Sequence, residues 1–266
     1  MRNLARTIGL IGLFLLLSGC SDPDIVPETH ISTPPTAAAS TMEVERFPMR
    51  TALFGDLHVH TSWSLDAYTG GNRLGPNTAY RFAKGDKVEL QNGSEAQLPI
   101  PLDFVALTDH AENFEILGCT MLPDSPEFDL PLCRDMRSGD FDQATMLQQA
   151  FDSGGIRPLP HEYDICGDDA RCRANARDTW QRVQAVANAH DEPGRFTALI
   201  GYEFSSLLTD VGMLHRNVIF RGSDVIPHAI SSIDVNNQKD FFERLDAACA
   251  SPCEVLTIPH NTNYSW

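Results

Sequence analysis

The sequence predicts an α/β protein built around a mostly parallel sheet or barrel, and three observations predict it. Short apolar runs at 102–107, 196–202 and 254–258 have the length and continuity of strands buried on both faces. Helical stretches or long crossovers separate them, the clearest at 168–190. The runs also hand over directly to His, Asp or Glu, where parallel strands of α/β enzymes deliver their chemistry.

At 266 residues the chain can hold one large domain or two small ones, either with a sizeable core. The formal net charge of −16 argues against nucleic acid or an anionic lipid surface held by charge alone. Anionic substrates stay open, because bound cations reverse the local field.

Residues 1–20 read as a secretory signal: Arg2 and Arg6 precede a short apolar core over 8–17, and small residues follow. The segment ends in Leu17-Ser18-Gly19-Cys20, which resembles the bacterial lipobox. That resemblance implies lipidation of Cys20 and a membrane tether. Ser21 in the next position then implies an outer-membrane lipoprotein of the cell envelope, facing the periplasm or the exterior. Residues 21–46, rich in Pro, Thr, Ala and Ser, read as a flexible linker, and 47–266 as the folded domain. Six further cysteines suit an exported, disulfide-bonded protein, with fifteen pairings open. Proximity favours Cys119 with Cys133, Cys166 with Cys172 and Cys249 with Cys253. No Cys-x-x-Cys spacing marks any of them as zinc ligands.

Taken in order, the domain opens with an apolar strand carrying His58 and His60, whose side chains project to one side because a strand alternates with period two. A polar, turn-rich loop over 61–76 follows and carries Asp66; a short helix over 77–83 and a hairpin-like excursion over 85–101 come next. The run 102–107 delivers Thr108-Asp109-His110-Ala111-Glu112. Residues 113–167 are irregular and Pro-rich, with a helix expected around 142–151; a substrate lid and a disulfide-pinned decoration are both open readings. The helix at 168–190 covers the sheet, and the next strand ends in Glu203. His215-Arg216-Asn217 opens the strand 218–220, an amphipathic helix at 238–248 turns Phe241, Phe242 and Leu245 inward, and the last strand hands over Pro259-His260-Asn261.

His58, His60, Asp66, His110, Glu203, His215 and His260 therefore converge on one rim if the strands run parallel. Neutral imidazoles with a few carboxylates suit Zn, Mn or Fe, and the ligands outnumber what one tetrahedral ion needs, so two or three divalent ions are expected. Arg216, Asn217 and Asn261, beside ligands, are candidates to bind an anionic ester substrate, with a structural ion-pair role equally open for Arg216. Tyr80, Arg81 and Lys84 read as a solvated helix face before an anion patch, and His30, His161, His190 and His228 as surface histidines. No Walker loop, dinucleotide fingerprint or Gly-x-Ser-x-Gly is present.

The series His58-Val59-His60-Thr61, Thr108-Asp109-His110, Gly201-Tyr202-Glu203, His215 and Pro259-His260-Asn261 resembles the PHP (polymerase and histidinol phosphatase) superfamily of metal-dependent phosphoesterases. The likeness runs from about 51 to 266, and the extended forms around His58 and His110 are similar to a branch containing exported lipoproteins. It implies a distorted (β/α)7 barrel with a trinuclear centre, in which His58 and His60 hold a first metal together with a bridging Glu203. His215 and His260 complete the second site, and Asp66 and His110 bind the third. Asp109 is taken as the further catalytic carboxylate, acting by orienting the ligands. The superfamily pattern closes with an Asp-x-His that these residues do not contain, so the chain is expected to be an N-terminal fragment with an incomplete barrel. The activity implied is hydrolysis of a phosphate ester, with a sulfate ester, an amide or metal binding without catalysis as alternatives.

Overall fold

A computed structural model describes residues 51–138, 169–207, 213–235 and 237–260. In it β1 (Gly55–Val59), β4 (Phe104–Leu107) and β5 (Thr197–Leu199) form a parallel sheet in the order β1-β4-β5. A small antiparallel ribbon, β2 (Val88–Glu89) with β3 (Glu95–Ala96), makes up the excursion before β4. β1 lies close against β4 because Gly55 has no side chain: a Cβ there would collide with the carbonyl oxygen and ring of Phe104.

The expectation of a mostly parallel sheet needs correction in the second half of the domain. β6 (Gly201–Leu207), β7 (Met213–Phe220) and β8 (Val255–His260) form an antiparallel sheet in that order. β5 passes into β6 with one residue between them, and the Phe220 amide donates to the Ile200 carbonyl at 2.9 Å, so one extended stretch leaves β4 and joins β7. Beyond β4 a parallel bridge pairs His110 with Glu203, and the Glu203 amide donates to the Asp109 carbonyl at 3.0 Å. The two sheets thus meet at the residues expected to bind metal. Among the described residues the strands do not close into a barrel.

Helices cover the outer faces. α1 (Leu65–Thr69) and α2 (Pro76–Ala83) follow β1; α2 starts with Gly75 as N-cap and proline in its first turn, a position where the missing N–H costs nothing. A 3₁₀ turn (Ala111–Ile116), α3 (Leu117–Thr120) and α4 (Pro131–Ser138) follow β4. The Cys119–Cys133 disulfide ties α3 to α4. α5 (Asp169–His190) buries Trp180, Val183, Val186 and Ala187, the stripe expected of it. Trp180 packs against Tyr202, Phe220 and Phe114, while its indole N–H donates to the Ile226 carbonyl at 2.8 Å, satisfying the one polar group it takes into the core. α6 (Gln238–Ala248) is capped by Asn237, whose side chain accepts from the Asp240 amide at 2.9 Å. Phe241 and Leu245 point inward as expected, whereas Phe242 is partly exposed. The second disulfide, Cys249–Cys253, follows α6. Cys172 is also disulfide-bonded, but the expected partner Cys166 and the expected helix at 142–151 lie outside the described residues.

Lys84 pairs with Glu192 at 2.8 Å, Arg81 with Asp86 at 3.2 Å, and Tyr80 is buried, so these three residues are structural and form no anion patch. No described helix is long and apolar enough to cross a membrane.

Candidate metal centre

The period of two on β1 sends His58 and His60 to one side, where they meet Glu203 on β6. Their Nε2 atoms lie 3.1 and 3.0 Å from Glu203 Oε2, and 3.0 Å from each other. The other oxygen of the carboxylate, Oε1, lies 2.6 Å from His215 Nδ1, 3.1 Å from His260 Nε2 and 3.6 Å from His110 Nδ1. Asp66 completes the cluster at its rim, with Oδ2 3.3 Å from His110 Nε2 and Oδ1 3.9 Å from His60 Nδ1. All seven expected ligands are therefore brought together.

His215 reaches this rim for a reason the expectation of parallel strands does not supply. β7 runs antiparallel to β6, so its beginning lies beside the later part of β6: His215 pairs with Ser205, two residues beyond Glu203, and with His260 across the β7–β8 ladder.

The cluster cannot be satisfied by hydrogen bonds among its own members. Glu203 is 1% exposed and meets five imidazoles with two oxygens. Its Oε2, and both ring nitrogens of His260, are buried without a hydrogen-bond partner among the described residues. Three groups of potential ligand atoms each fall within 4.8 Å: His58, His60 and Glu203; His60, Asp66 and His110; His110, Glu203 and His215. Imidazole nitrogen with carboxylate oxygen fits a divalent cation of the borderline class.

Electrostatics point the same way. Burial pushes Glu203 up, but the adjoining imidazoles of His215 and His60 and the charge of His110 outweigh it and hold the carboxyl far below its usual range. Asp66 falls to about 2, the His110 hydrogen bond overcoming its own burial. His110 is raised to about 9: burial alone would lower it, but the hydrogen bond with Asp66 and the charges of Glu203, Asp66 and Glu112 prevail. The pocket therefore favours positive charge.

The remaining candidates separate. Asp109 is 3% exposed, and Thr61 donates to both of its oxygens, from its amide at 2.6 Å and its hydroxyl at 2.8 Å. It clips the chain leaving His60 to the chain entering His110, which makes it a positioning residue that does not reach the rim. Asp109→Ala leaves a buried amide and hydroxyl without an acceptor and is expected to cost about 3 kcal/mol, lowering the thermal midpoint by roughly 10 °C. A melt unchanged within a degree or two would contradict this role.

Arg216 and Asn217 do not line the site. Arg216 alternates to the opposite face of β7 from His215 and lies over the Phe242 ring at 4.7 Å, within 3.4 Å of the Thr257 hydroxyl. Asn217 is buried and donates to the Leu57 carbonyl at 2.7 Å, tying β7 to β1. Asn261 and Cys20 lie outside the described residues.

Three residues not singled out from the sequence support the ligands. The Ser64 hydroxyl lies 2.8 Å from His60 Nδ1 and accepts from the His110 amide at 2.8 Å. The Ser205 hydroxyl lies 2.6 Å from His110 Nδ1. Glu112 Oε1 accepts from the Ser205 amide and from both the amide and hydroxyl of Ser232. Only Glu112 carried a signal, as a second carboxylate in the polar cluster after β4; a lone serine has none.

No curated protein and no solved structure matches the chain. A family model described as a protein of unknown function, DUF3604, matches residues 47–266, which is most of the chain and includes all seven clustered residues. The chain is therefore a member of the DUF3604 family.

Proposed function

We propose that this protein is an exported, membrane-tethered metal-dependent hydrolase that cleaves a phosphate ester. The observation that carries the reading is the meeting of five imidazoles on the single buried carboxylate of Glu203, with Asp66 beside them. In this reading His58 and His60 share a first ion with Glu203, His215 and His260 share a second with the same carboxylate, and Asp66 and His110 hold a third. Divalent ions bound there would polarise the ester oxygen and lower the pKa of a coordinated water toward ~7. The chain's own part is to fix the donors. β1 and the His110–Glu203 bridge set the distances between strands, Asp109 clips the two histidine loops together, and Ser64 holds the His60 ring.

The same reading takes the two sheets as successive arcs of one distorted (β/α)7 barrel. Continuity from β5 into β6 supports it, as does the approach of the two outermost strands, whose His58 and His260 rings lie 4.0 Å apart between centroids. The phosphate ester as substrate, the lipid on Cys20 and the envelope location rest on the sequence resemblances.

The test is metal analysis of the full chain together with hydrolysis of phosphomonoesters, phosphodiesters and sulfate esters. Stoichiometric Zn, Mn or Fe is expected, with phosphoester turnover that falls at least ~100-fold in His58→Ala. Turnover confined to sulfate esters would reassign the substrate. Metal binding without turnover would make this a binding protein, and a wild type without stoichiometric metal would remove the reading altogether.

A further inference from the structure

His58 is the most exposed of the clustered histidines: its side chain is 41% exposed, and the other four lie between 13% and 18%. Serines stand beside Nδ1 of His60 and of His110, whereas no group among the described residues bonds Nδ1 of His58. The strand beneath it is irregular as well. From Asp56 to Val59, β1 takes three steps while β4 takes two, from Val105 to Leu107, which leaves one residue of β1 unmatched beside His58. On its other side, β1 pairs with no strand of the antiparallel sheet among the described residues. Yet the imidazole meets Glu203 Oε2 at 3.1 Å, and its ring lies 4.0 Å from that of His260 between centroids.

Two side chains supply what the sheet does not. Asn217 donates through Nδ2 to the Leu57 carbonyl at 2.7 Å, and Asp56 Oδ1 accepts from the His58 amide at 3.0 Å. That carbonyl and that amide belong to one planar peptide unit and point to opposite sides of it. Held at both, the unit cannot swing about its long axis, and the Cα of His58 at its end is set. Resting on the metal-centre reading above, we infer that Asn217 and Asp56 are positioning residues that grip the Leu57–His58 peptide in place of a neighbouring strand and aim His58 at the first ion.

The place of Asn217 in the sheet suits this role. It pairs with Glu203 in the β6–β7 ladder and follows His215 by two residues, so it shares the sheet face that carries Glu203, His215 and, across the β7–β8 ladder, His260. One side chain thereby references β1 to the carboxylate that two ions would share. Asn217 is 2% exposed, and its Oδ1 is buried without a hydrogen-bond partner among the described residues, a cost to stability that an apolar side chain would not carry. What the residue contributes is the donor. Asp56 is exposed, and its contact is the His58 amide, two residues along the chain.

The test is stepwise titration of the full chain with Zn²⁺ against a competing chelator. Asp56→Ala and Asn217→Leu are each expected to weaken one ion ~10–100-fold, the same ion that His58→Ala weakens, and to leave the others at wild-type affinity. Asp56→Asn, which keeps an acceptor oxygen, is expected to restore binding. In a His58→Ala background neither change should alter affinity by more than ~2-fold, because both act through that one imidazole. A loss that adds in full to that of His58→Ala, a loss shared equally by all ions, or an unchanged affinity in Asp56→Ala would overturn the inference while leaving the metal centre standing. A wild type that takes up no Zn²⁺ would overturn both together. If Asn217→Leu fails to fold, the two variants at the exposed Asp56 decide.

Discussion

Replacing Glu203 by glutamine is expected to lower metal affinity more than ~100-fold at two sites at once, a larger loss than any single histidine change produces. His58, His215 and His260 each meet one edge of the cluster, whereas both oxygens of Glu203 are engaged, Oε2 with His58 and His60 and Oε1 with His215, His260 and His110. Glutamine keeps the volume but removes the charge and replaces one acceptor by a donor, which turns an N–H toward imidazole nitrogens that face the site. The same change is expected to destabilise the metal-free protein by about 3 kcal/mol, because it removes the buried counter-charge beside His110, whose pKa is raised to about 9. Metal titration and chemical unfolding of the two proteins check both parts. A glutamine variant that retains two ions would show that the carboxylate is a neighbour of the centre and not its hub.

Much of this centre was legible in the sequence, for a physical reason. His58 and His60 declare themselves because a strand alternates, and His110 and His260 lie at or just beyond strand ends, where side chains of different strands meet, whereas the strand expected to end in Glu203 runs on to Leu207. What could not be read was strand direction. His215 opens its strand, so in a parallel sheet it would lie at the far end from Glu203; the antiparallel turn of β7 brings it back. Arg216 and Asn217 show the matching error. Adjacency to a ligand in the chain is not adjacency in space: alternation sends Arg216 to the α6 face and burial commits Asn217 to the Leu57 carbonyl. Ser64 and Ser205 were invisible because a supporting hydroxyl is defined by its partner and has no spacing of its own.

Stability should change with pH in opposite senses with and without metal between pH 6.5 and 9. In the metal-free protein His110 is raised from 6.5 to about 9, so its stabilisation is complete below about pH 6.5 and is lost as pH climbs through 9. A shift of that size corresponds to about 3 kcal/mol. Asp66, lowered from 3.8 to about 2, has the opposite sign: its contribution is present above about pH 4 and is lost as pH falls through 2. The two groups share one interaction, so the acid and alkaline arms are not additive. Metal binding reverses the alkaline arm, because the imidazoles must give up their protons to bind and stability gained from the ion grows as pH rises. Urea unfolding at pH 6.5 and 9, in chelator and in excess Zn²⁺, reads both slopes. Parallel slopes would mean that protons and metal ions do not compete for these imidazoles, which is incompatible with the histidines as ligands.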